Sequence, residues 1–279
     1  MIIKTRSIRH LIFFHFFFLF FGLAQTNGTV VNEKTQKPID FVNIWIEDFE
    51  ESTFSDASGF FSIQSNNEKN TIVFDAVGYE ILKLPIAKVN DTVFMQPIDF
   101  MLQEVVLRQR KNKKKLTINK IKKKDIEYYG GSSNEHSWIV AQLFPYQEIY
   151  NGFPFLNKIS FFNMDIDNTD AFKFNVRIYD VDDHGKPGNC LTTENIFCFP
   201  KNGKQTSVVD VSAFNIEIPK NGFFIAIENL QKYNQKNNIG IMYGFCNEKK
   251  GSTEYFFRNG KWVLGHNFTS ICIEVEVSN

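Results

Sequence analysis

The residues of this chain that could do chemistry are few, and their spacing excludes most of what they could do. Beyond the N-terminal apolar run histidine occurs only as His136, His184 and His266. None stands in the H-x-x-E or H-E-x-x-H spacing that would set metal ligands and a general base on one face. No G-x-S-x-G turn is present to expose a serine nucleophile. Carboxylates do cluster, as Asp165 and Asp167 in MDIDNTD and as Asp180, Asp182 and Asp183 in YDVDDHGKPGN. Several oxygens close together suit a hard cation such as calcium. Neither run has the EF-hand pattern, since the first lacks the sixth-position glycine and has Val176 at the twelfth. The other reading of Asp180, Asp182 and Asp183 is a polar inter-strand loop, with Gly185, Pro187 and Gly188 as turn formers. No cofactor is expected.

Two further side-chain types need placing. The four cysteines, Cys190, Cys198, Cys246 and Cys272, all lie in the C-terminal half, without a C-x-x-C pair. An even count permits two disulfides in an oxidising compartment, and buried free thiols are the alternative. Cys190 and Cys198 would stand about 26 Å apart along one extended strand, so any bridges should join them elsewhere rather than to each other. Trp138, Tyr146, Tyr150 and Trp262 fall outside clear core alternation. On a sandwich rim such rings could stack on sugars, and Trp138, Tyr146 and Trp262 are the ligand-contact candidates; core or edge packing is the other reading.

The chain opens with Lys4, Arg6 and Arg9, an apolar run from Leu11 to Leu23, and small residues Gly22 and Ala24. This is the layout of a secretory leader over 1–24, cleaved after Ala24. The run is short of the roughly 18 residues of a membrane span. The mature chain is expected to be exported to the periplasm, the outer membrane or the medium. With no cysteine after the cleavage point, a lipid-modified N-terminus is not expected.

From Gly28 the pattern is that of short strands and turns. Val42, Ile44 and Ile46 alternate with Phe41, Asn43 and Trp45, the period-2 signature of a strand with one core face. In SDASGFFSI, Asp56 and Ser58 can bond a turn's backbone while Gly59 supplies a positive φ, which predicts a hairpin that sends Phe61 and Ile63 inward. TIVFDAV predicts another strand, which Gly78 ends at a bend before Tyr79. DTVFMQP and FMLQEVVL complete about seven short strands, the density of a β-sandwich.

This succession, with Ser55, Asp56, Gly59 and Phe61 in one motif and Gly78, Tyr79 and Glu80 in another, resembles the carboxypeptidase regulatory-like domain. Ser55 stands where threonine is usual. The resemblance implies a transthyretin-like β-sandwich over 25–107 that serves scaffolding or interaction and carries no catalytic residues. It is similar to the N-terminal extension of TonB-dependent outer-membrane receptors, but the chain beyond Val106 is too short for their plug and barrel.

From Arg108 to Lys124 there are ten Lys or Arg and no acid. Setting this run and the leader aside leaves 18 basic residues against 31 acidic ones. Two readings stand: a solvated, self-repelling linker over 108–124 between acidic domains, or a basic strip making peripheral contact with an anionic membrane surface. An exported address and the lack of interleaved aromatics argue against nucleic acid.

From Asp125 onward the sequence is strand-like to its end. Phe172, Phe174, Val176 and Ile178 alternate with Lys173, Asn175, Arg177 and Tyr179, which predicts a half-buried antiparallel strand. About ten such segments over 125–279 predict a jelly-roll-like β-sandwich. This half is similar to the sandwich that follows the regulatory module in many envelope proteins, and in architecture alone to jelly-roll carbohydrate-binding modules. The whole reads as all-β and non-catalytic, an envelope-associated binding or scaffold protein contacting protein or glycan. Two alternatives remain. One is an accessory or catalytic chain in envelope glycan processing, which would need two carboxylates about 5 to 9.5 Å apart in a cleft. The other is a receptor-like fragment docking on an outer-membrane partner.

Overall fold

A computed structural model describes residues 24–65, 67–98, 110–111, 113–130, 138–165, 174–199, 204–230, 241–247, 253–258, 260–265 and 269–279. The leader up to residue 23 lies outside them. The first sandwich contains β1 (Ala24–Asn32), β2 (Asn43–Ile46), β3 (Ser52–Phe54), β4 (Phe60–Ser65), β5 (Thr71–Asp75), β6 (Leu82–Pro85) and β7 (Thr92–Met95). They form two sheets, of order β4-β1-β7 and β3-β2-β5-β6, with β1 and β7 parallel and the other pairs antiparallel.

The inward alternation read from sequence builds the core: Ile44, Ile46, Phe61, Ile63, Ile72 and Phe74 are buried together. Phe61 meets Phe74 edge to face at 5.3 Å. The SDASG hairpin forms as expected. Asp56 Oδ1 accepts from the backbone N–H of Ser58 (2.8 Å) and Phe60 (3.0 Å), and Gly59 takes φ 77°. Ser55 acts differently. Its buried hydroxyl donates to the Ile39 carbonyl and accepts from Val42 N–H, both at 2.9 Å, which pins the chain entering β2.

The second sandwich contains β8 (Lys115–Ile118), β9 (Ile126–Gly130), β10 (Trp138–Phe144), β11 (Phe155–Asp165), β12 (Phe174–Val181), β13 (Pro187–Cys190), β14 (Ile196–Cys198), β15 (Lys204–Asp210), β16 (Phe223–Asn229), β17 (Ile241–Asn247), β18 (Glu254–Arg258), β19 (Lys261–Leu264), β20 (Thr269–Ile271) and β21 (Ile273–Ser278). One sheet runs β13-β12-β16-β10-β18-β19, with β14 also on β12. The other runs β20-β17-β11-β21-β8, with β15 on β11 and β9 on β17. The chain passes repeatedly between the sheets, a jelly-roll-like habit. Phe161, Phe174, Ile178, Phe223, Tyr243 and Val275 are among the side chains that fill the space between.

Part of the segment 108–124 is not a solvated linker. Lys115–Ile118 is the edge strand β8, paired with β21 from Val275 to Ser278. Ile121 is buried with Phe162, Cys246 and Cys272 on the outer side of that sheet. The Arg110 guanidinium donates to the carbonyls of Ser212 (2.6 Å) and Leu156 (3.0 Å) and to Asn157 Oδ1 (2.6 Å). Lysine content concealed this. The apolar residues of LTINKI alternate and need cover, while their basic neighbours need only point to water.

Cys246 and Cys272 form a disulfide with α-carbons 5.5 Å apart, whereas Cys190 and Cys198 are free. In Cys272→Ser, loss of this 26-residue cross-link should lower stability by about 3 kcal/mol on the chain-entropy estimate. A guanidinium titration of the non-reduced proteins measures the difference.

On β18 the buried Glu254 carboxyl is pushed up to about 7 by burial, opposed by a bond accepted from Ile271 N–H at 3.0 Å. The folded chain therefore keeps a proton that the unfolded chain releases above its ordinary pKa of about 4.3. Its contribution is complete below pH 4.3 and falls as pH rises to about 7, by on the order of 3 kcal/mol. Stability measured against pH in Glu254→Gln should lack that decline.

Candidate functional site

The two sandwiches meet face to face. The β3-β2-β5-β6 sheet presents its outer face to the outer face of the sheet containing β12, β16, β10 and β18, so β2 is buried on both sides. The same holds for β12, where Phe174 to Tyr179 are all buried. The half-buried strand expected from alternation is thus corrected. Asn175, Arg177 and Tyr179 point away from their own core, and Arg177 reaches Asp75 of the first sandwich.

At the centre of this contact Arg177 and Glu228 form a bidentate pair, with Nε to Oε2 at 2.8 Å and Nη2 to Oε1 at 3.1 Å. Their side chains are 3% and 2% exposed. Asn175 Nδ2 donates to Glu228 Oε2 and Asn43 Nδ2, from the first sandwich, to Oε1, both at 3.0 Å. Asp75, also from the first sandwich, receives Arg177 Nη1 at 3.2 Å. Burial pushes the Glu228 carboxyl above the usual carboxylate range, and Arg177 with the Asn175 bond pulls it back. Burial by itself would lower Arg177, but Glu228, Tyr179 and Asp75 outweigh it and hold the guanidinium charged.

Rings and glycines complete the contact. Trp45 meets Phe257 at 5.5 Å, Phe257 meets Trp262 at 5.1 Å and Trp262 meets Tyr179 at 5.6 Å, all edge to face. Gly78 takes φ 84°, and a β-carbon there would lie 2.4 Å from the Thr193 carbonyl oxygen of the second sandwich. The bend before Tyr79 is therefore also a point of close approach. Gly260, at φ 74°, packs likewise on Trp45, whose indole nitrogen would lie 2.4 Å from an added β-carbon.

Beside the buried network the two faces part to leave a cleft of about 600 Å³. Asp75 and Arg177 lie in it, Trp45, Tyr79 and Trp262 line it, and Asn189 contributes an amide. Of the aromatic candidates whose side chains are among the described residues, Trp262 alone lines this cleft. Tyr146 lies elsewhere, its hydroxyl donating to Asn151 at 2.7 Å while Lys220 Nζ sits 4.6 Å over its ring. Tyr150 is a core residue whose hydroxyl is pushed up to about 12 by burial. The side chain of Trp138 lies outside the described residues, as do His136, His266, Asp167 and the side chain of Asp165.

The aspartate cluster caps a hairpin. Asp182 Oδ1 accepts from His184 N–H (2.9 Å) and Lys186 N–H (2.7 Å), and Asp180 Oδ1 accepts from Asn189 N–H (2.6 Å). Asp183 is exposed in the same turn between β12 and β13. Among the described residues no group of three or more His, Cys, Asp or Glu is arranged to hold a metal ion.

Sequence reasoning passed over Asn43, Asp75, Asn175, Arg177 and Glu228. Their signal was present in Phe223–Ile227, apolar on both faces and followed at once by Glu228, beside a strand whose supposed solvent face holds asparagine, arginine and tyrosine. Removing the guanidinium in Arg177→Ala leaves Glu228 buried without its partner and should cost about 3 to 5 kcal/mol. Chemical denaturation should show that loss, with Glu228→Gln costing less.

Residues 26–107 match the family model of the CarboxypepD_reg-like domain. A search of the curated proteins gave no match. Among solved structures, the chain is similar to the cysteine protease and lectin-like domains of Cwp84, a surface layer associated protein of Clostridium difficile. The TM-score is 0.40 at 11% identity, over 82% of this chain and 44% of that one. A clostridial Cwp84 cysteine protease after propeptide cleavage gives 0.35 at 11%, over 82% and 51%. Infectious bursal disease virus, Gx strain, gives 0.27 at 8%, over 86% and 59%. The chain thus spans about half the length of these structures, and likeness at this level carries no functional argument.

Proposed function

We propose that this protein, whose N-terminal module is a CarboxypepD_reg-like domain, is an exported, envelope-associated binding protein that works without catalysis. Its two sandwiches act as one rigid unit, and the ligand, a glycan or a protein segment, enters the cleft between them. The observation that carries this reading is the state of the cleft's ionisable groups. Arg177 holds both nearby carboxylates, Glu228 at 2.8 Å and Asp75 at 3.2 Å. A glycan-processing centre needs one carboxyl as proton donor and a second as base or nucleophile. Here both are committed to one guanidinium, an arrangement suited to holding a surface in shape.

Export is supported by the basic and apolar leader and by the Cys246–Cys272 disulfide, which belongs to an oxidising compartment. Expressed at full length in a Gram-negative host, the chain should fractionate with the envelope or the medium. It should also release no reducing ends or peptides from purified envelope glycan. Retention in the cytoplasm would refute the address, and turnover would refute the non-catalytic role.

A further inference from the structure

We infer that the cleft between the sandwiches takes an uncharged oligosaccharide, with Trp262 as the ring on which a sugar stacks; this rests on the binding role proposed above. Charge, shape and hydrogen bonding each support that ligand class.

Charge comes first. Arg177 is matched by Asp75 in the cleft and by Glu228 buried behind it, so its charge is already neutralised. Lys83 at the margin is paired with Glu47 at 2.5 Å. No uncommitted cation among these groups awaits a phosphate, sulfate or carboxylate, so an anionic ligand would find no charge partner in the cleft.

The walls supply apolar faces in a fixed arrangement. Trp262 is half-buried and lines the cleft, and contacts with Tyr179 at 5.6 Å and Phe257 at 5.1 Å hold its ring in place. A ring set in advance loses little freedom when a ligand stacks on it. Ile81 and Ile98, 60% and 43% exposed, extend the apolar surface at the lip. The face of a pyranose is a patch of C–H groups ringed by hydroxyls. It needs such a wall together with neutral donors and acceptors at the edge.

Those neutral groups are present. Tyr79 Oη accepts from Asn32 Nδ2 at 3.0 Å, which leaves its own proton to donate. Asn189 sends Nδ2 to Asp180 at 3.2 Å and so turns its carbonyl oxygen to accept. Both residues line the cleft. The volume of about 600 Å³ lies within the roughly 300 to 1,000 Å³ of small-molecule sites.

The test uses the full mature chain, titrated by calorimetry and by intrinsic tryptophan fluorescence with neutral gluco-, manno- and chito-oligosaccharides and with oligogalacturonates as anionic controls. At least one neutral ligand should bind, with little change between about 0.05 and 0.5 M salt. Trp262→Ala should weaken that binding by about tenfold or more. Tyr79→Phe and Asn189→Ala, which each give up one side-chain hydrogen bond near the surface, should each weaken it several-fold while the unfolding midpoint moves only slightly. Tyr146→Ala should leave the affinity unchanged. Binding of the anionic controls alone, binding of none of the panel, or neutral-sugar binding indifferent to Tyr79→Phe, Asn189→Ala and Trp262→Ala would each overturn the inference. Hydrolysis of a neutral sugar bound in this way would refute the non-catalytic role and leave the ligand class standing.

Discussion

The structure depends on one buried ion pair. Arg177 on β12 and Glu228 on β16 meet diagonally across the paired strands, Glu228 standing opposite Asn175, with almost no access to solvent. Moving such charges out of water costs several kcal/mol each, and their attraction repays it only when the remaining donors and acceptors are satisfied. Asn175 supplies one of those bonds from within the same sandwich. The others come from Asn43 and Asp75 across the boundary. In the second sandwich alone these groups would be hydrated, and it is their burial by the first sandwich that demands the partners Asn43 and Asp75 supply. Docking of the regulatory-like module completes the cluster.

The remaining features of the contact follow from that requirement. For Asn43 and Asp75 to reach the pair, β2 and β5 must lie close over β12 and β16, nearer than side chains at every position would permit. Gly78 and Gly260 make the approach possible at the rim by presenting no β-carbon to Thr193 and Trp45. Trp45, Phe257, Trp262 and Tyr179 then fill the space with edge-to-face rings. Two twisted sheets that touch at such a centre diverge away from it. The cleft lies beside the ionic contact, bounded by the same strands.

Much of the fold was legible in the sequence because it is written in local terms. Strand alternation, the Asp56–Gly59 hairpin and the core positions of Ile44, Phe61 and Phe74 all follow from the behaviour of a single strand or turn. The contact between domains was not legible for the same reason. Alternation tells which face of a strand is apolar, but a polar face can meet water or another polar face. Asn43 and Arg177 look the same in both settings. The lysine-rich segment misled in the opposite sense, because its charge masked Leu116, Ile118 and Ile121, which pack against the sandwich. Among the site candidates Trp262 lies in the cleft between the sandwiches. Tyr146 was chosen by the same reasoning and lies elsewhere, since stacking potential is a property of the residue and placement a property of the whole chain.

Strand β2 has a consequence for how the chain finds its native pairing. Most sandwich strands are held in register by one buried face, the other tolerating whatever water tolerates. Here Ile44 and Ile46 belong to the core of the first domain, while Asn43 and Trp45 fit the polar and aromatic positions of the second. A slip of one residue would put an amide among aliphatic side chains and, in the same step, leave Glu228 without its cross-domain donor. Each domain thus proofreads the other's hydrogen-bond ladder, and misalignment in either is detected as a fault at their boundary.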